Sequence, residues 1–239
     1  MPALSAQADS SRALIRVGHK GADAIAPGNT LASFDAALAA GVDMIEFDVL
    51  AEQPDGAGEL FVVHDHGELR RHGAPTLGEA LSHLASPPFA AVRLQVDLKR
   101  TGYEEAVLEA LSGAGVLGRS FISTGEWRSL ERVRLLAPDL PIGWTVPAGI
   151  SAAPLIGAVA GRMSRTALAR VAADRIRGGA IDALVPQWQL VTRRLVEAVR
   201  GAGGELYAWT VDDRAEIRRL AALGVTGVIT NDPRLFTLN

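Results

Sequence analysis

The chain has 239 residues, a formal net charge of -3, 48% hydrophobic and 21% charged side chains. It is long enough for one large domain, too apolar for disorder, and too weakly charged for a global field that would draw nucleic acid or an anionic membrane. Cysteine is absent, which excludes disulfides and thiolate metal sites.

Met1 to Arg12 are small and polar and lack the apolar core of a signal peptide. Residues 1–12 are expected to form a flexible tail ahead of a single domain over 13–239. No run is long and apolar enough to span a membrane, and a cytoplasmic location is the default expectation. From Leu14 onward, short runs rich in Val, Ile and Leu alternate with longer amphipathic stretches, the pattern of repeated β/α units around a buried parallel sheet. Strands are predicted at Leu14–His19, Asp43–Val49, Val92–Leu98, Ser120–Ser123, Pro141–Thr145, Ala183–Pro186, Glu205–Thr210 and Thr226–Thr230. Helices are predicted over Thr30–Ala40, Tyr103–Leu111, Glu126–Leu136, Val191–Arg200 and Asp213–Leu223, with Gly41, Gly201 and Gly224 at helix ends.

Two segments interrupt the repeat. Leu60–His64 reads as an extra strand, and Pro75–Leu84 as a helix start with Thr76 as N-cap. Val146–Gly179 is too long for a simple connection and carries arginines at 162, 165, 170, 175 and 177. It reads either as a cap over a lipid or phosphate, or as an ordinary barrel helix with a solvated basic face. The expected fold is α/β: a TIM (β/α)8 barrel with an extra strand segment after strand two, with an open doubly wound sheet as the alternative.

In such a barrel, reactive groups come from the C-terminal ends of the strands. Those ends carry Gly18-His19-Lys20-Gly21, Glu46-Phe47-Asp48, His64-Asp65-His66 and Asp97-Leu98-Lys99. Glu46 and Asp48 are two apart on one strand, so both face the same way, and paired carboxylates repel unless a cation or proton lies between them. Arginine or backbone partners would also satisfy them. A third carboxylate at Asp97 favours a hard cation held by oxygen ligands. His19 and a second histidine suit acid–base work near neutral pH. Alternation along the extra strand places His64 and His66 on one face, so spacing does not choose between them. Lys20 and Lys99 are the only lysines among 24 basic residues and would supply positive charge around a phosphate. Ser123, Gln187 and Asn231 lie at strand ends within reach of a substrate, and Trp209 is placed to form an apolar wall there. Trp144 is read as packing.

These segments together resemble the glycerophosphodiester phosphodiesterase family. The resemblance rests on G-H-K-G at 18–21, P-G-N-T at 27–30, A-G-V-D-M-I-E-F-D-V at 40–49 and F-V-V-H-D at 61–65. It continues through P-T-L-G-E-A-L at 75–81, V-D-L-K at 96–99, A-W-T-V-D-D at 208–213 and G-V-T-G-V-I-T-N-D-P at 224–233. It implies a TIM barrel in which Glu46, Asp48 and Asp97 bind one divalent cation, Mg²⁺ or Ca²⁺, and His19 and His64 act as acid and base. That favours His64 over His66, and assigns Lys20, Lys99 and Trp209 to phosphate or substrate. The implied substrate is a glycerophosphodiester or lysophospholipid, with no nucleic acid and no transmembrane segment; the sequence carries no sign of an oligomeric state.

Three positions depart from the family pattern: Lys20 stands for its usual Arg, Gly28 for a Glu, and Asp97 for a Glu. The D-L-K form resembles sphingomyelinase D-like phospholipases, so a lysophospholipase D or sphingomyelinase D-like activity with cyclic products is the alternative reaction. Two further alternatives are a Schiff-base aldolase using Lys99 and a non-catalytic phosphodiester-binding barrel. The two retained histidines argue against the last, since binding alone needs no proton shuttle.

Overall fold

The computed structural model describes residues 13–72, 74–147 and 165–237; the predicted tail at 1–12 and the stretch 148–164 of the predicted cap lie outside the described residues. Eight parallel strands form the barrel: β1 (Ile15–Gly18), β2 (Met44–Ala51), β4 (Arg93–Leu98), β5 (Ser120–Thr124), β6 (Ile142–Val146), β7 (Ala183–Pro186), β8 (Glu205–Ala208) and β9 (Gly227–Thr230). They run in the order β1-β9-β8-β7-β6-β5-β4-β2, and pairing of β1 with β2 closes the ring, which rules out the open sheet. The extra strand, β3 (Leu60–Phe61), pairs antiparallel with β2 outside the ring. It is shorter than predicted, ending three residues before His64.

Helices α1 (Leu31–Ala39), α3 (Leu77–Leu84), α4 (Glu104–Gly113), α5 (Trp127–Leu136), α6 (Arg165–Arg177), α7 (Arg193–Gly201) and α8 (Arg214–Leu223) wrap the sheet. Local chemistry fixes their starts. Thr30 and Thr76 each close a capping box, with Ser33 and Glu79 respectively, and Asp213 caps α8 through the Glu216 amide at 2.8 Å. The described part of the predicted cap is α6, an ordinary barrel helix. Its buried face is Leu168, Ala169, Ala172, Ala173 and Ile176, Arg170 and Arg177 pair with Asp174, and Arg175 stacks on Trp127.

Two apolar layers hold the barrel. The larger lies between sheet and helices; the smaller, built on Val17, Met44, Phe121, Val185, Tyr207 and Ile229, fills the barrel's interior. Gly143 belongs to this inner packing, because a Cβ there would strike the Phe121 ring. Along β2 and β4 the apolar outward residues Phe47, Val49 and Val96 alternate with the inward polar residues Glu46, Asp48, Gln95 and Asp97. In-register pairing then puts Asp48 beside Asp97 and Asp97 beside Ser123.

Candidate active site

The loop after β1 folds back over the acids of β2. Lys20 and Gly21 both adopt positive φ, 50° and 82°, so the chain reverses at once. The Lys20 amide then donates to Glu46 Oε2 at 2.9 Å, and the Gly21 amide to the Glu46 carbonyl at 3.0 Å. Asn29, also at positive φ, clasps Asp48 from both sides: its Nδ2 donates to Oδ2 at 2.9 Å and its Oδ1 accepts from the Asp48 amide at 3.1 Å. A Cβ at Gly28 would lie 2.5 Å from Asp23 Oδ1 and 2.9 Å from Lys20 Cβ, so a side chain there would have to displace both. Two of the departures from the family pattern, Lys20 and Gly28, therefore lie beside each other.

Glu46, Asp48 and Asp97 are buried, and one ligand oxygen from each can be chosen so that all lie within 4.8 Å of one another. Three buried hard oxygen donors at this spacing form an acidic cluster that could hold a metal ion. The Lys99 ammonium lies 2.5 Å from Asp48 Oδ1 and 2.7 Å from Asp97 Oδ2, with Lys20 Nζ 3.7 Å from Asp48 Oδ2. Among the described residues, the buried Asp48 Oδ1 has this ion pair with Lys99 as its close polar contact. Ser123 Oγ and Thr145 Oγ1 both donate to Asp97 Oδ1, at 2.6 and 2.9 Å, and Gln95 Nε2 donates to Ser123 Oγ at 3.0 Å.

The charges respond to this crowding in opposite directions. Burial, reinforced by the Asp48 charge, pushes the Glu46 carboxyl well above the usual range. Burial opposes ionisation of Asp48 as well, but Lys99, Lys20 and the Asn29 amide outweigh it and hold Asp48 low. Lys99 is likewise held charged: burial works against the ammonium, and Asp97, Asp48 and Glu46 overcome it. A Schiff-base lysine needs a neutral amine, so the aldolase alternative loses its support.

His19 is mostly buried. Its Nδ1 lies 2.5 Å from Asn231 Oδ1, and its Nε2 lies 3.9 Å from Glu46 Oε2. Asn231 Nδ2 donates to Asp212 Oδ2 at 2.6 Å; a carboxylate only accepts, so the amide's oxygen must face the histidine. His19 Nδ1 therefore carries a proton and Nε2 is the bare nitrogen of the neutral ring. Burial lowers the pKa of His19, with the Asn231 bond partly opposing. His64 lines the same pocket and is half-exposed, with Nδ1 3.4 Å from Asp65 Oδ2.

The pocket is lined by His19, Lys20, Glu46, His64, Asp97 and Lys99, with Val185 and Trp209 on its apolar side. Asp48 lies against Lys99, and Trp209 is fixed by donating its indole N–H to the Val185 carbonyl at 2.8 Å. The two histidines, three acids, two lysines and Trp209 assigned to the site thus converge, whereas Gln187 lies outside the pocket's lining. His66 lies outside it as well. It starts a short helix, α2 (His66–His72), absent from the sequence reading, with Asp65 Oδ1 accepting from the Gly67 and Glu68 amides; its Nε2 sits 3.0 Å from the Ala51 carbonyl. The expectation that His64 and His66 share a strand face is therefore wrong, because the chain leaves the sheet at Phe61. Trp144 is buried in the outer layer, edge-on to Trp127. Ser123 and Asn231 serve the site by bonding Asp97 and His19. Asn29, Gln95 and Thr145 were not singled out. Asn29 stood in the P-G-N-T motif, and Gln95 is a polar residue two before Asp97 in an apolar strand, so both carried a signal.

A family model described as the glycerophosphoryl diester phosphodiesterase family matches residues 19–83 and 86–235. A glycerophosphodiester phosphodiesterase of Caldanaerobacter subterraneus is 27% identical over 91% of this chain and 93% of its own length. One from Arabidopsis thaliana is 28% identical over 91% of this chain and 70% of its own. Among solved structures, an Oleispira antarctica phosphodiesterase in complex with the product sn-glycerol-3-phosphate superposes with a TM-score of 0.68 at 21% identity, covering 92% of this chain and 93% of that one.

Proposed function

Because the chain belongs to the glycerophosphoryl diester phosphodiesterase family, we propose that it hydrolyses a glycerophosphodiester to an alcohol and glycerol 3-phosphate. His19 and His64 exchange the protons, and Glu46, Asp48 and Asp97 hold one divalent cation, Mg²⁺ or Ca²⁺. The observation that carries this reading is the meeting of two imidazoles with the buried acids at one pocket. A bound cation would supply charge neutralisation at a phosphate oxygen.

The chain's own groups divide the remaining work. His19 is disposed to be the base: burial favours its neutral ring, and the Asn231 bond leaves Nε2 bare. It removes the proton of the attacking hydroxyl, either a water or a neighbouring hydroxyl of the substrate. His64, open to solvent at the pocket's edge, gives a proton to the departing alcohol oxygen as the P–O bond breaks. If a substrate hydroxyl attacks, the cyclic phosphate is opened by water with the protons moving in reverse. Lys20 and Lys99 bring ammonium charge to the phosphate as point donors. Trp209 and Val185 shield one side of the pocket from water.

A panel of glycerophosphocholine, glycerophosphoethanolamine, glycerophosphoinositol, lysophospholipids and sphingomyelin, followed by phosphorus NMR with and without added cation, tests this reading. Cation-dependent appearance of glycerol 3-phosphate from the glycerophosphodiesters is expected. Turnover confined to lysophospholipids or sphingomyelin would move the assignment to the phospholipase D alternative. Full activity after exhaustive chelation would remove the cation from it.

A further inference from the structure

The floor of the pocket holds an acceptor that the fold does not use. Gln95 points inward on β4, two residues before Asp97 and beside Glu46 of β2, and it lines the pocket at 1% exposure. The direction of its carboxamide is fixed by its neighbours. A carboxylate only accepts, so Ser123 gives its hydroxyl proton to Asp97 Oδ1 at 2.6 Å and receives the Gln95 Nε2 donor at 3.0 Å. Gln95 Oε1 is the other end of the amide, buried and without a hydrogen-bond partner among the described residues. Leaving an amide oxygen buried without a donor is costly, and in a ligand pocket an arriving hydroxyl removes that cost.

His64 stands half-exposed at the pocket's edge and serves the departing alcohol, so the leaving group faces solvent and the glycerol half faces inward. The lysines and imidazoles are partners of the phosphate, and the glycerol hydroxyl next to the phosphate ester lies close to them. The terminal hydroxyl reaches furthest from the phosphorus, towards the floor. The terminal torsion of glutamine is soft, so the carboxamide can turn its oxygen to that hydroxyl while Nε2 stays on Ser123. We propose that Gln95 is a specificity-determining residue whose Oε1 accepts from the terminal hydroxyl of the glycerol half, and that it thereby selects fully deacylated glycerophosphodiesters. A lysophospholipid acylated at that position has no such proton to give, and binding it leaves the amide oxygen unpaired. The inference rests on the hydrolase reading above and names the substrate feature that its pocket recognises.

Steady-state kinetics of the full chain on the phosphoethanolamine diesters of glycerol and of propane-1,2-diol test it. The second compound keeps the hydroxyl beside the phosphate ester and lacks the terminal one. The wild-type protein is expected to favour the glycerol compound by about tenfold or more in kcat/KM. Gln95→Met removes the acceptor at similar volume and should bring that ratio to within about threefold of one, the loss falling on the glycerol compound. A role confined to supporting Ser123 would lower both substrates alike and leave the ratio where it was, which overturns the proposal and leaves the hydrolase reading standing. Gln95→Leu serves in its place if the methionine variant does not fold, and a wild-type ratio near one overturns the proposal with no variant at all. Turnover of neither compound by the wild type removes the proposed hydrolysis and this recognition with it.

Discussion

His19 Nδ1 meets Asn231 Oδ1 at 2.5 Å across 212 residues of sequence, joining the ends of the first and last barrel strands. The partner amide is oriented by Asp212, which also accepts from the Asn231 backbone N–H at 2.8 Å and from Thr230 Oγ1 at 3.0 Å. The imidazole is therefore held in one tautomer by the residue that follows the last barrel strand. Asn231→Ala removes that hold and should lower kcat by about tenfold or more while changing KM less, because the ring stays present but is misoriented. Steady-state kinetics on the best substrate checks this; an unchanged kcat would mean that Asn231 does not position the base.

The three histidines near the strand ends should separate sharply. His19→Ala and His64→Ala are each expected to cost at least about a hundredfold in turnover. His66→Ala loses only the contact to the Ala51 carbonyl, away from the pocket, and should leave turnover within about threefold while costing about 1 kcal/mol of stability. Kinetics of the three variants, each checked for folding by circular dichroism, reads this out. Near-wild-type turnover in both His19→Ala and His64→Ala would remove the acid–base pair.

A stability prediction comes from the N-terminal side of the barrel. Asp43 accepts the Arg16 amide at 2.8 Å and the Arg16 guanidinium through both oxygens at 2.9 Å. The Arg16 hydrogen bond lowers the Asp43 pKa below its ordinary 3.8, with burial opposing. A carboxyl whose folded pKa is depressed stabilises the fold above the unfolded value and loses that contribution as pH falls through the folded one. Both side chains are partly exposed, so the pair is worth at most about 1 kcal/mol. Urea unfolding of Asp43→Ala should show this deficit at pH 7, shrinking as pH drops below 3.8. A deficit that grows on acidification would contradict the assignment.

Much of this architecture is legible in the residues themselves. The alternation Glu46-Phe47-Asp48 shows two acids facing inward without any tertiary information, and Val- and Ile-rich runs mark the eight barrel strands because both faces of a parallel sheet are buried. Contacts that depend on register are not legible. Asp97 meets Ser123 because β4 and β5 pair at those residues, and Thr145 reaches the same carboxylate from the strand beyond. Helix α2 was missed because His-Gly-Glu-Leu-Arg-Arg-His has no apolar period; the side chain of Asp65, rather than a buried face, starts it. The ring closure between β1 and β2 joins elements separated by a whole helix, and sequence spacing alone left an open sheet possible.

The most direct test is a crystal structure of the protein with Mg²⁺ and glycerol 3-phosphate. The account predicts one cation on Glu46, Asp48 and Asp97, and the phosphate within hydrogen-bonding reach of His19, His64 and the Lys99 ammonium. A phosphate bound elsewhere on the barrel, or lying beyond reach of either imidazole while the cation sits on the acids, would contradict it.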